Sequence, residues 1–232
     1  GHYPGAAAVA APPADRRALV IGAGVAGTSV AERLAASRAS LPGSRKTYLA
    51  GERPGVAVPM REVTLESGEV VRRRDVDARY FAEGLTIVED RLLQLTWQEG
   101  VAFEYDLATF EPRRELHYEG EGWGLCLDTR GNRLIMSDGS STLTFRDPAT
   151  FEERGTVRVT RQGRGQRMLN ELECVDGVVY ANVWQTEELV RIDPETGHVT
   201  AVIDAHGLLT QQDSLGADVL NGIAYLPASQ HF

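Results

Sequence analysis

Residues Arg79–Trp97 read RYFAEGLTIVEDRLLQLTW. An acid, Glu83, stands just before the run Leu85-Thr86-Ile87-Val88. Glu89-Asp90 follow as a polar pair, and Leu92-Leu93-Gln94-Leu95-Thr96-Trp97 then ends on an indole. Two short apolar runs around a two-residue polar turn predict a β-hairpin. The hairpin sets a carboxylate at the start of one strand and a large aromatic at the end of the next.

The pattern recurs. One copy holds Asp90-Arg91-Leu92-Leu93, Trp97 and Phe103-Glu104-Tyr105-Asp106-Leu107-Ala108-Thr109-Phe110. The next holds Asn132-Arg133-Leu134-Ile135 and Phe145-Arg146-Asp147-Pro148-Ala149-Thr150-Phe151. The third holds Asp176-Gly177-Val178-Val179-Tyr180, Trp184 and Val190-Arg191-Ile192-Asp193-Pro194-Glu195-Thr196-Gly197. A partial copy precedes them at Arg61–Gly68, and Asp218–Tyr225 repeats a first strand. The period is about 41 to 46 residues, with four short strands per copy and an Asp-Pro-x-Thr-type turn between the third and fourth. That is the size of a β-propeller blade. An irregular β-sandwich with accidental spacing fits three aligned copies poorly. The expected fold class is therefore all-β, a β-propeller incomplete at both ends, with a short α/β-like segment at the N-terminus.

That segment needs its own account. Residues 1–16 are rich in Ala and Pro and read as an extended lead-in, either the remnant of a processed export leader or a flexible start. This sets the expectation of a secreted or periplasmic protein. Arg17–Ile21 then reads as a strand, Gly22-Ala23-Gly24-Val25-Ala26-Gly27 as a glycine turn, and Thr28–Ala36 as a helix. In a dinucleotide fingerprint Gly22 makes the tight turn, Gly24 admits a pyrophosphate and Gly27 lets helix and strand close. A second strand at Lys46–Ala50, with Glu52 as the ribose acid, completes the pattern. The stretch resembles the N-terminal βαβ unit of flavin-dependent ferredoxin reductases over about 40 residues. A dinucleotide domain needs several more parallel strands, and after Val63 the helical periodicity that would connect them stops. The expectation is that no cofactor is used. The chain divides into residues 1–47 and a propeller over 48–232.

Composition narrows the function. A net charge of -9 over 232 residues argues against a nucleic-acid surface. No run of about 18 apolar residues exists, so no apolar helix spans a membrane. Cys126 and Cys174, the two cysteines, are too few for a disulfide framework; both sit in apolar runs and read as buried free thiols. His2, His117, His198, His206 and His231 are scattered without metal-ligand spacing, so no metal site is expected. No Gly-x-Ser-x-Gly nucleophile motif occurs. Arg72-Arg73-Arg74 reads as a solvated strand edge answered by Asp75 and Asp77.

Aligning the repeats gathers the chemistry. Glu83 lies five residues before Val88, Asn170 five before Val175, and Gly122, beside Trp123, five before Leu127. Asn221 opens the last copy in the same slot. The innermost strands of a propeller line one channel, so Glu83, Trp123, Asn170 and Asn221 are expected around one mouth. Trp97 and Trp184 are equivalent to each other, each at the end of a second strand. From the pattern alone the indoles serve equally well as packing between blades.

Several strings then carry a family likeness: Tyr80-Phe81-Ala82-Glu83-Gly84-Leu85-Thr86, Gln94-Leu95-Thr96-Trp97, Glu121-Gly122-Trp123-Gly124-Leu125, Met136-Ser137-Asp138-Gly139-Ser140, Leu169-Asn170-Glu171-Leu172-Glu173 and Tyr180-Ala181-Asn182-Val183-Trp184, with Arg191-Ile192-Asp193-Pro194 and Asp218–Tyr225 after them. Together, over residues 48–226, they resemble the plant and bacterial type of glutaminyl-peptide cyclotransferase. The resemblance implies a five-bladed propeller that converts an N-terminal glutamine of peptides or proteins to pyroglutamate and releases ammonia, without a catalytic metal, as a monomer. It implies Glu83 as the catalytic acid/base, Trp97, Trp123 and Trp184 as pocket walls, and Asn170 as a substrate-binding amide. Two family segments, a Phe-Thr-Gln-Gly-Leu motif and a Thr-Gly-Lys motif, have no counterpart here; Ala18–Ala36 stands where the first belongs. The alternative expectation is thus an impaired propeller that binds peptides or proteins without turning them over.

Overall fold

The computed structural model describes residues 17–21, 59–64, 69–208 and 219–225. Its elements are strands: β1 Arg17–Ile21, β2 Met60–Thr64, β3 Val70–Arg74, β4 Ala82–Val88, β5 Arg91–Thr96, β6 Val101–Asp106, β7 Pro112–His117, β8 Leu125–Asp128, β9 Arg133–Ser137, β10 Thr142–Arg146, β11 Glu153–Arg158, β12 Thr160–Arg161, β13 Arg164–Gly165, β14 Leu169–Val175, β15 Val178–Val183, β16 Glu188–Ile192 and β17 Val199–Asp204. Three antiparallel sheets follow one another, β4 to β7, β8 to β11 and β14 to β17, each in chain order. The four-stranded unit read from the repeat is present in all three.

The opening hairpin forms as read. Glu89 takes a positive φ of 56° in the turn, and Leu85 to Val88 pair with Gln94 to Arg91. β5 is buried from Leu92 to Thr96 on both faces because a neighbouring sheet covers each side. Leu92 packs with Met60, Tyr105 and Phe110, whereas Leu93 and Leu95 pack with Leu125, Leu134 and Met136 of the next sheet. A third apolar layer, around Ile135, Leu143, Leu172, Val179 and Val190, joins the second four-stranded sheet to the third. Fully burying such a side chain stabilises by roughly 1.5–3 kcal/mol. The fourth strands β7, β11 and β17 are mostly exposed.

The Asp-x-x-Thr turns act as a second connection between sheets. In each, the aspartate caps its own turn: Asp106 Oδ1 accepts the amides of Ala108 and Thr109, both at 2.9 Å, and Asp147 Oδ1 those of Ala149 and Thr150 at 2.7 and 2.9 Å. The carbonyls so presented receive an arginine from the preceding sheet. Arg72 donates to the carbonyls of Leu107 and Ala108. Arg91 and Arg114 donate to those of Pro148 and Ala149, and both guanidiniums pair with buried Glu104. Arg133 pairs with Glu195 of the third such turn.

Two expectations change. Cys126 and Cys174 are not free thiols; they form a disulfide across 48 residues, because β8 and β14 pack side by side. Arg17–Ile21 is a strand, as read. It pairs antiparallel with β2, Arg17 opposite Thr64 and Ile21 opposite Met60, in a three-stranded sheet with β3. The glycine turn, the helix at Thr28–Ala36, the strand at Lys46–Ala50 and Glu52 lie outside the described residues. Arg72–Arg74 lie on the edge strand β3 and Arg73 pairs with Asp75, as expected, but Arg72 turns inward: besides the turn carbonyls it pairs with Glu62 and lies 3.9 Å over the Phe110 ring.

Candidate active site

The first strands β4, β8 and β14 lie next to one another, and glycine makes that approach possible. The amide of Gly84 donates to the carbonyl of Trp123 at 2.8 Å. A Cβ on Gly84 would stand 2.7 Å from the Leu125 nitrogen, and one on Gly124 would stand 2.8 Å from the Glu171 Cα. Gly124 donates its amide to Ser137 Oγ at 2.9 Å, and that hydroxyl donates onward to the Asn170 carbonyl at 2.6 Å. The strands also break register here. The β4–β5 ladder shifts between Ala82 and Leu85, and the β14–β15 ladder between Leu169 and Leu172. Such irregularities re-aim side chains and are common beside active sites. They fall on Glu83-Gly84 and on Asn170-Glu171.

Glu83 keeps part of its surface open to solvent, yet burial pushes its carboxyl well above the ordinary 4.5, and the charge of Glu171 pushes it further. A group enclosed by protein but still wetted lines an opening rather than a core. The carboxyl is disposed to be protonated, and its conjugate base is a stronger base than a free glutamate. Asn170 is buried at 5% exposure.

The three tryptophans form a connected group. Trp97 follows β5; its amide donates to the Phe81 carbonyl at 2.8 Å and its ring meets Phe81 edge-on at 5.8 Å. Trp123 precedes β8 and packs its ring on Gly139, where a Cβ would lie 2.6 Å from ring carbons. Trp184 follows β15, its amide bound to the Met168 carbonyl at 2.8 Å, and its ring meets Trp123 edge-on at 5.4 Å. Trp97 and Trp123 share one partner that pattern reading did not single out. Glu121 Oε2 accepts both indole N–H groups, at 2.8 and 2.9 Å. The bond from Trp123 is the foremost reason that the Glu121 carboxyl sits below the usual range. Glu171 was likewise missed, although it stands inside a quoted string. Asn221 is buried, with Oδ1 accepting the Gly222 amide at 2.9 Å.

Chemically these neighbouring strands offer a carboxyl disposed to exchange a proton, a buried amide and a linked set of indoles. A carboxyl so raised suits proton transfer.

Comparison with known proteins gives three findings. Residues 53–232 match the family model described as Glutamine cyclotransferase. The chain is 39% identical over 170 residues to a glutaminyl-peptide cyclotransferase of Arabidopsis thaliana, a match covering 72% of this chain and 52% of the relative. It thus spans about half the length of that relative. It is also similar to the crystal structure of Myxococcus xanthus glutaminyl cyclase, with a TM-score of 0.68 at 37% identity, covering 79% of this chain and 77% of that one.

Proposed function

The chain belongs to the glutamine cyclotransferase family, and from that premise we propose that it closes the N-terminal glutamine of peptides and proteins into pyroglutamate, releasing ammonia. The sheets are read as blades of a five-bladed propeller, the three four-stranded ones being whole blades. Glu83 is the proton shuttle, Trp97, Trp123 and Trp184 enclose the glutamine side chain, and Asn170 binds its carboxamide.

The substrate's α-amine attacks the carboxamide carbon of the same residue. A carbon–nitrogen bond forms, and the Glu83 carboxylate takes a proton from the amine. The carboxyl then returns that proton to the amide nitrogen, the old carbon–nitrogen bond breaks, and ammonia departs. No proton is gained or lost overall. One carboxyl serving as base and then acid contributes typically ~10²–10⁴-fold. Asn170 donates to the oxyanion as it develops. The Cys126–Cys174 disulfide supports a secreted or periplasmic location, where such bonds persist.

The observation that carries the reading is the enclosed Glu83, its carboxyl raised by burial, on the residue before the Gly84–Trp123 contact. The experiment is ammonia release from a Gln-initiated dipeptide. E83Q is expected to lose at least ~10²-fold in kcat. An E83Q protein that cyclises as fast as the parent would refute the role. Folded protein that binds the peptide and releases no ammonia would turn the reading to a binding module.

A further inference from the structure

The tryptophan cluster contains a carboxylate that the cyclisation steps leave idle. Glu121 lies in the connection between β7 and β8 and accepts the indole N–H groups of Trp97 and Trp123 on one oxygen. Its other oxygen accepts the Gln98 side-chain amide at 3.2 Å. The two indoles come from different sheets. An indole has a single N–H, so one bond fixes the polar end of each ring. The rest of Trp97 rests on Phe81, and the rest of Trp123 on Gly139 and Trp184. One carboxylate oxygen has room for two donors. With its lone pairs so committed, Glu121 is a poor proton carrier.

We propose that Glu121 is a positioning residue: by holding Trp97 and Trp123 on one oxygen it sets the gap between their rings, and so how tightly the glutamine side chain is gripped. The identity of the occupant rests on the cyclisation reading; the clamp itself does not. Glu121 touches neither substrate nor reacting atoms and acts only through the indoles.

Two variants separate reach from charge. E121Q keeps the length of the side chain and a carbonyl oxygen able to accept both N–H groups, without the charge. E121D keeps the charge and draws the oxygens back by about 1.5 Å. All three tryptophans of the chain belong to this cluster, so acrylamide quenching of intrinsic fluorescence reads the clamp without turnover. E121D is expected to raise KM for a Gln-initiated dipeptide about tenfold, with kcat changed less than about threefold, and to quench more readily. E121Q is expected to recover most of both effects. The reverse order, with E121D near the parent and E121Q impaired, would overturn the proposal by making charge the operative property. Equal impairment of the two, or no change in quenching or KM with either, would overturn it as well. If the parent chain turns over no substrate, the cyclisation reading falls, and the order of the two variants in quenching alone decides the clamp.

Discussion

The Gly84 amide and the Trp123 carbonyl meet at 2.8 Å, and this single backbone bond sets Glu83 beside the first strand of the next sheet. One sheet further on, Gly124 stands against the backbone of Asn170 and Glu171. Glu83, Trp123 and Asn170 are therefore spaced by two glycines, where main chain approaches main chain with nothing between.

A methyl group at Gly124 has nowhere to go. Its neighbours are the Asn170 carbonyl and the Glu171 Cα, and backbone atoms cannot rotate away. G124A is expected to lose on the order of 1–3 kcal/mol of stability and to lower kcat/KM by moving Asn170 relative to Trp123. Urea midpoints and dipeptide cyclisation on the same preparation check it. A G124A protein as stable as the parent would contradict the close approach.

On the cyclisation reading, Glu83 and Glu171 should carry the pH dependence. A base that must accept a proton is idle while protonated, so the acid limb of kcat/KM should lie above the ordinary carboxylate range, burial being the main cause and Glu171 the lesser. E171Q removes the like charge and should move that limb to lower pH. The substrate amine titrates alike with both enzymes and cancels from the comparison. Stability follows the same sign. The folded value lies above the unfolded 4.5, so what this group contributes is present in full below about 4.5 and lost as pH rises through the folded value. E83Q should match the parent in melting temperature near pH 4 and exceed it on the alkaline side.

How much of this was legible follows from how local each feature is. The hairpin Ala82–Thr96 and the turns at Asp106 and Asp147 depend on neighbours in sequence, and they read correctly. Repeat alignment puts Glu83, Gly122 beside Trp123, Asn170 and Asn221 in one slot, and the Gly84 and Gly124 contacts join the stretches that hold the first three. The Glu121 clamp depends on two sheets meeting, which no spacing announces. Arg17–Ile21 reads as the strand it is, but its antiparallel pairing with Met60–Thr64 is not legible, because an apolar run before glycines looks the same whichever way its strand pairs.

The disulfide was hidden for the same reason and gives a further prediction. Cys126 and Cys174 are 48 residues apart, and closing a loop of that length constrains the unfolded chain by about 4 kcal/mol. Reduction, or the C126A/C174A pair, should lower the melting temperature by roughly 10 °C in a chain of this size. Activity should fall too, since the bond ties β8 to β14 beside Trp123 and Asn170. Thiol titration of the unfolded, unreduced protein should find no reactive sulfhydryl; two would mean that the bond does not form.

Gln94 is fully buried on β5, and both its amide atoms lack a hydrogen-bond partner among the described residues. Its neighbour Thr96, equally buried, donates to the Val101 carbonyl at 2.8 Å. The two residues should thus respond oppositely to loss of polarity. Q94M keeps length and removes an unsatisfied amide, so stability should rise by about 1–3 kcal/mol. T96V keeps shape and takes the hydroxyl from both the carbonyl and the amide of Val101, so stability should fall by about 1–3 kcal/mol. Denaturant melts of both variants beside the parent decide the matter. A Q94M protein weakened as much as T96V would mean that the amide has a partner in solution, for which a buried water with two or more polar contacts is the physical candidate.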